Sequence, residues 1–145
     1  MGDSVGRGVP RGFEEAPPHI QAVIRAYAAF NDRDLHRAVP KLDENKACTT
    51  QDRMRARMSR LLAAFPDLQV SHLRAYDLKD GRVGVRFVVS GTNAGALSDD
   101  APATTRPIHA EILDILELDP AGRLVGGRRI VDLEAIDRQL GHGDA

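Results

Sequence analysis

Two carboxylates in this sequence stand where a folded chain would put them to chemical use. Asp132 follows the strand-like run Arg128-Arg129-Ile130-Val131 and opens a short helical stretch that closes on Gln139-Leu140-Gly141. A carboxyl at such a junction either exchanges protons with a substrate in a pocket or accepts bonds from the first N–H groups of the helix. The two roles need opposite surroundings, since an apolar wall favours the protonated acid and helix N–H groups favour the charged form. Asp114 is the second acid. It shares parity with Ile108, Ala110, Ile112, Leu116 and Leu118 along one strand, so it interrupts the apolar face that should point inward. A carboxylate there is costly unless it is paired, hydrogen-bonded or used, and the alternative is a solvated place at a cavity rim.

Other polar residues offer partners for these acids. Arg128, if turned inward beside Asp132, would hold its charge or bind a substrate carboxylate or phenolate, and otherwise it is a surface charge on a strand. Asn93 sits in a Gly-Thr-Asn-Ala-Gly turn, where Asn tolerates φ > 0, though an amide at a pocket rim can hold a substrate oxygen. Tyr27 on the first helix has a hydroxyl able to bond a ligand carbonyl, and it also fits an ordinary core role. His72 shares strand parity with Val70, Arg74 and Tyr76, which places it either toward the pocket or simply within the sheet. His109 and Glu111 have the opposite parity to Asp114 and read as a solvated outer face.

These residues must be positioned by a definite set of elements. Met1 to about Ala16 is Gly-rich and poor in apolar groups, and reads as a disordered tail ahead of one domain over residues 17–145. Ile20, Val23, Ile24, Tyr27 and Phe30 recur at helical spacing, giving a first helix that ends near Asn31. Asp34 can cap a short second helix broken by Pro40, and residues 41–48 read as irregular. Thr49 and Thr50 offer caps for a third helix with Met54, Met58, Leu61, Leu62 and Phe65 on one face. Leu68–Leu78, Arg82–Thr92 and Pro107–Leu118 are long strand-like runs, with a turn at Asp80-Gly81, a loop over Asn93–Arg106, and Asp119-Pro120-Ala121-Gly122 turning into a fourth strand. The last helix covers about Leu133–Leu140. Helices first and long strands afterwards predict an α+β domain with an antiparallel sheet packed on one side by helices. Such a sheet, curved around a helix, encloses a cavity suited to a small molecule.

Composition removes several classes of function. The 145 residues, 42% hydrophobic and 28% charged, suit one domain with one core. A net charge of −1 creates no field that would draw nucleic acid or an anionic membrane. Arg53, Arg55, Arg57 and Arg60 flank an apolar stripe without interleaved aromatics, and read as a solvated helix face. Gly126-Gly127 lacks the lysine and helix of a phosphate loop. The single cysteine, Cys48, excludes an internal disulfide and a cysteine-based metal site, and reads as structural. No metal ligand spacing stands out, no run approaches the roughly 18 apolar residues that span a bilayer, and the N-terminus lacks the apolar stretch of a signal peptide. A cytoplasmic location is the expectation.

The order of elements and their motifs resemble the SnoaL-like polyketide cyclases of the nuclear transport factor 2-like superfamily. The matching pieces are Ala29-Phe30-Asn31 with Asp34-Leu35, Ala64-Phe65-Pro66-Asp67-Leu68, Gly91-Thr92-Asn93-Ala94-Gly95, and Gly122-Arg123-Leu124-Val125 through Asp132 to Arg138-Gln139-Leu140-Gly141. Together they span about residues 17–141. The resemblance implies a cone-shaped fold in which a curved antiparallel sheet packs against N-terminal helices. It implies a homodimer and a cofactor-free aldol-type ring closure on an apolar, polyketide-like substrate of secondary metabolism, such as antibiotic biosynthesis. It makes Asp132 the general acid–base, while Asp114 stands as a second acid on its strand parity alone. Arg128 stands where the family usually carries an aromatic residue, and Asn93 where many members carry His. The same scaffold would also suit opening of an epoxide, closure of an oxygen ring, or non-catalytic binding of a small molecule or partner.

Overall fold

Strands that alternate apolar and polar residues can bury only one face, and that face must be covered by helices. The computed structural model describes residues 9–10, 12–39 and 47–141. Helices α1 (Pro18–Ala29), α2 (Leu35–Ala38) and α3 (Ala47–Ala64) precede strands β1 (Gln69–Lys79), β2 (Arg82–Thr92), β3 (Pro107–Leu118) and β4 (Leu124–Val131), and α4 (Leu133–Leu140) follows. The strands form one curved antiparallel meander in the order β1-β2-β3-β4. The α+β architecture read from the sequence is therefore the one adopted. Helix α3 starts at Ala47, so Thr49 and Thr50 lie within it instead of capping it. Pro40, the stretch to residue 46 and the surroundings of Cys48 lie outside the described residues.

Pro17 and Pro18 begin α1, where a fixed φ and a missing N–H cost nothing. Ile20, Val23, Ile24 and Ala28 then line its buried stripe. They meet Leu73, Val83, Val85, Phe87, Ile108 and Ile112 from the inner face of the sheet in one core cluster. Each such side chain contributes about 1.5–3 kcal/mol by leaving water. The helix ends where Asn31 turns its amide onto β1. Its Nδ2 donates to the Val70 carbonyl and its Oδ1 accepts the Val70 N–H, both at 2.8 Å. Asp34 caps α2 by accepting the Arg37 N–H at 3.2 Å, as its position predicts. Order also begins earlier than the predicted tail allows. Phe13 opens a 3₁₀ turn, is buried, and carries the Arg25 guanidinium 5.1 Å from its ring centre.

One irregularity redirects a whole strand. The pairing of β1 with β2 shifts register between Ser71 and Arg74, and His72 there has φ 54°. A bulge of this kind adds a residue, bends the strand and reverses the inward parity beyond it. Val70 faces the core, and after the bulge Leu73 and Ala75 do so, while His72, Arg74 and Tyr76 are exposed. At the far end of the sheet, Gln139 docks α4 onto β3. Its Oε1 accepts the His109 N–H at 2.6 Å and its Nε2 donates to the His109 carbonyl at 3.0 Å. Leu140 is buried beneath this clip, and Gly141, at φ 85°, closes the helix.

Candidate functional site

Alternation along β3 carries Asp114 to the inner face, as its parity predicts, where it is only 4% exposed. The β3–β4 register sets Arg129 directly opposite it. Arg129 Nε donates to Asp114 Oδ1 at 2.7 Å and Nη2 donates to Oδ2 at 2.8 Å, a two-pronged pairing. From α1, Tyr27 donates its hydroxyl to Oδ2 at 2.5 Å. Phe87 of β2 supports both donors. Its ring meets the Tyr27 ring edge-on at 5.2 Å, and the Arg129 guanidinium lies 5.8 Å from its centre. The cluster is thus closed on the core side, while the Arg129 side chain remains 54% exposed on the other.

Taking a carboxylate out of water costs several kcal/mol, and only well-aligned, charge-assisted bonds offset that. Three donors converge on Asp114, which is how an acid persists on an apolar face. The neighbours respond accordingly. Burial, then the charge of Asp114 and its hydrogen bond, push the Tyr27 phenol well above its ordinary value, against an opposing pull from Arg129. Tyr27 is therefore held as a neutral donor. The hydrogen bond to Asp114 raises the Arg129 guanidinium further, against its burial. A cation and a phenol O–H thus hold one carboxylate in a fixed plane.

The other predicted site residues lie elsewhere. Asp132 is exposed and caps α4, its Oδ1 accepting the Ala135 N–H at 3.0 Å. Arg128 pairs with Ile115 and points to the outer face, because the residue that faces inward is its neighbour Arg129. His72 is turned outward by the bulge, with Nδ1 3.2 Å from Ser71 Oγ. Asn93 is fully buried and its amide is consumed by the loop it anchors. Nδ2 donates to the Gly95 carbonyl at 2.7 Å, and Oδ1 accepts the Thr104 N–H and hydroxyl at 2.9 and 3.0 Å. Tyr27 and Asp114 are the two predicted residues that the fold brings together.

Arg129 is the functional candidate that reading the sequence missed. Simple counting back from the Leu118–Leu124 pair sets 128 opposite 114, and a register shift between Glu117 and Leu118 brings 129 there instead. A depression of about 380 Å³ lies at the end of the sheet, lined by Asp67, Ser90, Thr92, Pro107 and His109. Its carboxylate is already committed, since Asp67 Oδ1 accepts the Thr92 N–H at 2.7 Å, and that bond holds the acid below the usual carboxylate range. The buried, multiply bonded acid is the stronger site on chemical grounds. Among the described residues no three His, Cys, Asp or Glu side chains converge as a metal site would require.

Comparison with known proteins gives the fold a family. No curated protein matches the chain. Among solved structures, AclR, a candidate hydroxylase of Streptomyces galilaeus, superposes with TM-score 0.68 at 21% identity, covering 85% of this chain and 80% of AclR. TsrD of Streptomyces laurentii superposes with TM-score 0.67 at 21% identity, over 88% of this chain and 98% of TsrD. IdmH, a candidate polyketide cyclase of Streptomyces antibioticus, gives 0.63 at 21%, over 86% and 99%. At such identities the likeness is one of fold. The family profile described as SnoaL-like polyketide cyclase matches residues 21–140, a span that holds Tyr27, Asp114 and Arg129 alike. By that match the chain belongs to the SnoaL-like polyketide cyclase family.

Proposed function

We propose that this chain is a cofactor-independent acid–base catalyst, a cyclase or isomerase of secondary metabolism acting on an apolar, polyketide-like carbonyl compound. Asp114 is its proton-transfer group. The observation that carries this reading is a buried carboxylate on the inner face of the sheet, held by Tyr27 and by an Arg129 that reaches solvent. A carboxylate offers about four lone-pair sites, and three donor bonds are in place, which leaves one acceptor site on Oδ1. That site takes a proton from a carbon next to a substrate carbonyl. The resulting enolate forms beside the Arg129 cation, where its charge is stabilised. The enolate carbon then attacks a second carbonyl of the same molecule, closing a ring. Asp114 returns its proton to the new alkoxide, so the product is an isomer of the substrate and nothing is consumed. Tyr27 remains a phenol throughout and keeps the carboxyl plane in place. Asp132, the acid that the resemblance implies, is assigned the helix cap.

The experiment is turnover of aromatic polyketide intermediates by the wild type, Asp114→Asn and Asp132→Asn. Loss of about 10²–10⁴ in rate for Asp114→Asn, with Asp132→Asn close to wild type, is the expected result. The reverse pattern hands the proton transfer to Asp132. Equal turnover by all three removes acid–base catalysis by either residue and leaves a ligand-binding domain.

The same reading extends to assembly. The outer sheet face presents Tyr76, Leu78, Val88, Leu113, Ile115 and Ile130, of which Tyr76, Leu78 and Ile130 are 41–49% exposed. An apolar face of this kind is suited to a second copy of the chain, and we infer a homodimer across it.

A further inference from the structure

A guanidinium carries five N–H donors in one plane, and the Asp114 pairing uses only one edge of it. Nε and Nη2 of Arg129 hold the two Asp114 oxygens. Nη1 takes no part in the Asp114 pairing, and more than half of the side chain is exposed. The end formed by Nη1 and the outward N–H of Nη2 is a second fork, with the spacing of a carboxylate. We propose that this open end is a carboxylate subsite, so that the substrate is a keto acid with a free carboxylate and not an ester or a neutral polyketone. The proposal rests on Asp114 being the proton-transfer group.

Three features fit a site made for a second anion. Arg129 is already fixed, by Asp114 on one edge and by the Phe87 ring below its plane, so binding orders no loose side chain. Its donors are aimed by that anchoring, whereas a free surface arginine would have to be caught in one rotamer. The Asp114 charge lies on the opposite edge, so an incoming carboxylate meets N–H groups and not lone pairs. A neutral carbonyl has one oxygen to offer and would leave one prong of the fork unused.

The test uses the full chain, ¹H–¹⁵N spectra and two stable probes, 2-acetylbenzoate and its methyl ester. The acid is expected to bind at least about tenfold more tightly than the ester, with shifts centred on Arg129 and Tyr27. Arg129→Lys keeps a cation beside Asp114 but loses the fork, and the preference is expected to fall below about twofold. Arg128→Gln on the outer face is expected to leave it unchanged. Equal binding of acid and ester, an undiminished preference in Arg129→Lys, or shifts centred on His109 would each overturn the proposal. If Arg129→Lys does not fold, the two probes on the wild type and the map of their shifts still decide. The outcome is separable from the catalytic reading. Asp114→Asn losing turnover while acid and ester bind alike defeats only the carboxylate subsite. Asp114→Asn turning over normally while the acid is preferred defeats only the acid–base role.

Discussion

A carboxyl group is defined by its donors, and the two aspartates of interest differ in just that respect. Asp132 is exposed and accepts a helix N–H, so Asp132→Ala is expected to cost about 1 kcal/mol of stability, read by urea titration, with little effect on turnover. Asp114 is buried among a phenol and a guanidinium, and removing Tyr27's hydroxyl acts on it directly. Tyr27→Phe is expected to lose about 1–2 kcal/mol at neutral pH. It should also change how stability depends on alkaline pH. The Tyr27 phenol is raised in the folded protein, so the native state keeps a proton that the unfolded chain releases above about pH 10. Its contribution is fully present below that pH and is lost as pH rises beyond it. Urea midpoints from pH 7 to 11 should fall less steeply in Tyr27→Phe than in the wild type, and parallel curves would show that the phenol is not held by Asp114.

Elements decide which residues can meet, and two of them do so here by departing from simple alternation. The bulge at His72 holds a non-glycine residue at φ 54° and turns His72, Arg74 and Tyr76 away from the core. A β-branched side chain tolerates that conformation poorly. His72→Val is expected to cost about 1 kcal/mol or more while His72→Gly costs little or stabilises, as thermal melts would show. If both behave alike, the bulge is not what sets the parity of β1. In the β1–β2 turn, Lys79, Asp80 and Gly81 all have positive φ, and a Cβ at Gly81 would sit 2.6 Å from the Leu118 carbonyl oxygen. The Leu118 N–H donates to the Gly81 carbonyl at 2.7 Å, and this bond ties the β1–β2 turn to the end of β3. The β3–β4 turn is braced by Asp119, which accepts the Ala121 and Arg123 N–H groups, both at 2.9 Å. The register shift between Glu117 and Leu118, just before this turn, is what delivers Arg129, and not Arg128, to Asp114.

At the scale of the molecule, one sheet has two faces of different chemical character. The inner one carries the Asp114 cluster, and the outer one carries an apolar field crossed by the Arg86–Glu111 ion pair at 3.1 Å. Replacing an outward residue at the centre of that field should break a dimer without touching the cluster. Leu113→Glu is expected to convert a dimer to a monomer in light scattering, with unchanged turnover at equal protomer concentration. A wild-type monomer would remove the dimer reading altogether. No helix among the described residues is long and apolar enough to cross a membrane.

The sequence by itself determines the elements and their order, because hydrophobic period, proline and turn residues act over a few positions. The bounds of β2, β3 and α4 were legible to the residue, as was the inward parity of Asp114. It also carries the family, through motifs spread along most of the chain. What only tertiary structure decided is pairing. A one-residue bulge in β1 reverses His72, the register of β4 exchanges Arg128 for Arg129, and loop closure consumes the Asn93 amide. Each depends on contacts between residues distant in sequence, where a shift of one position moves a side chain to the opposite face.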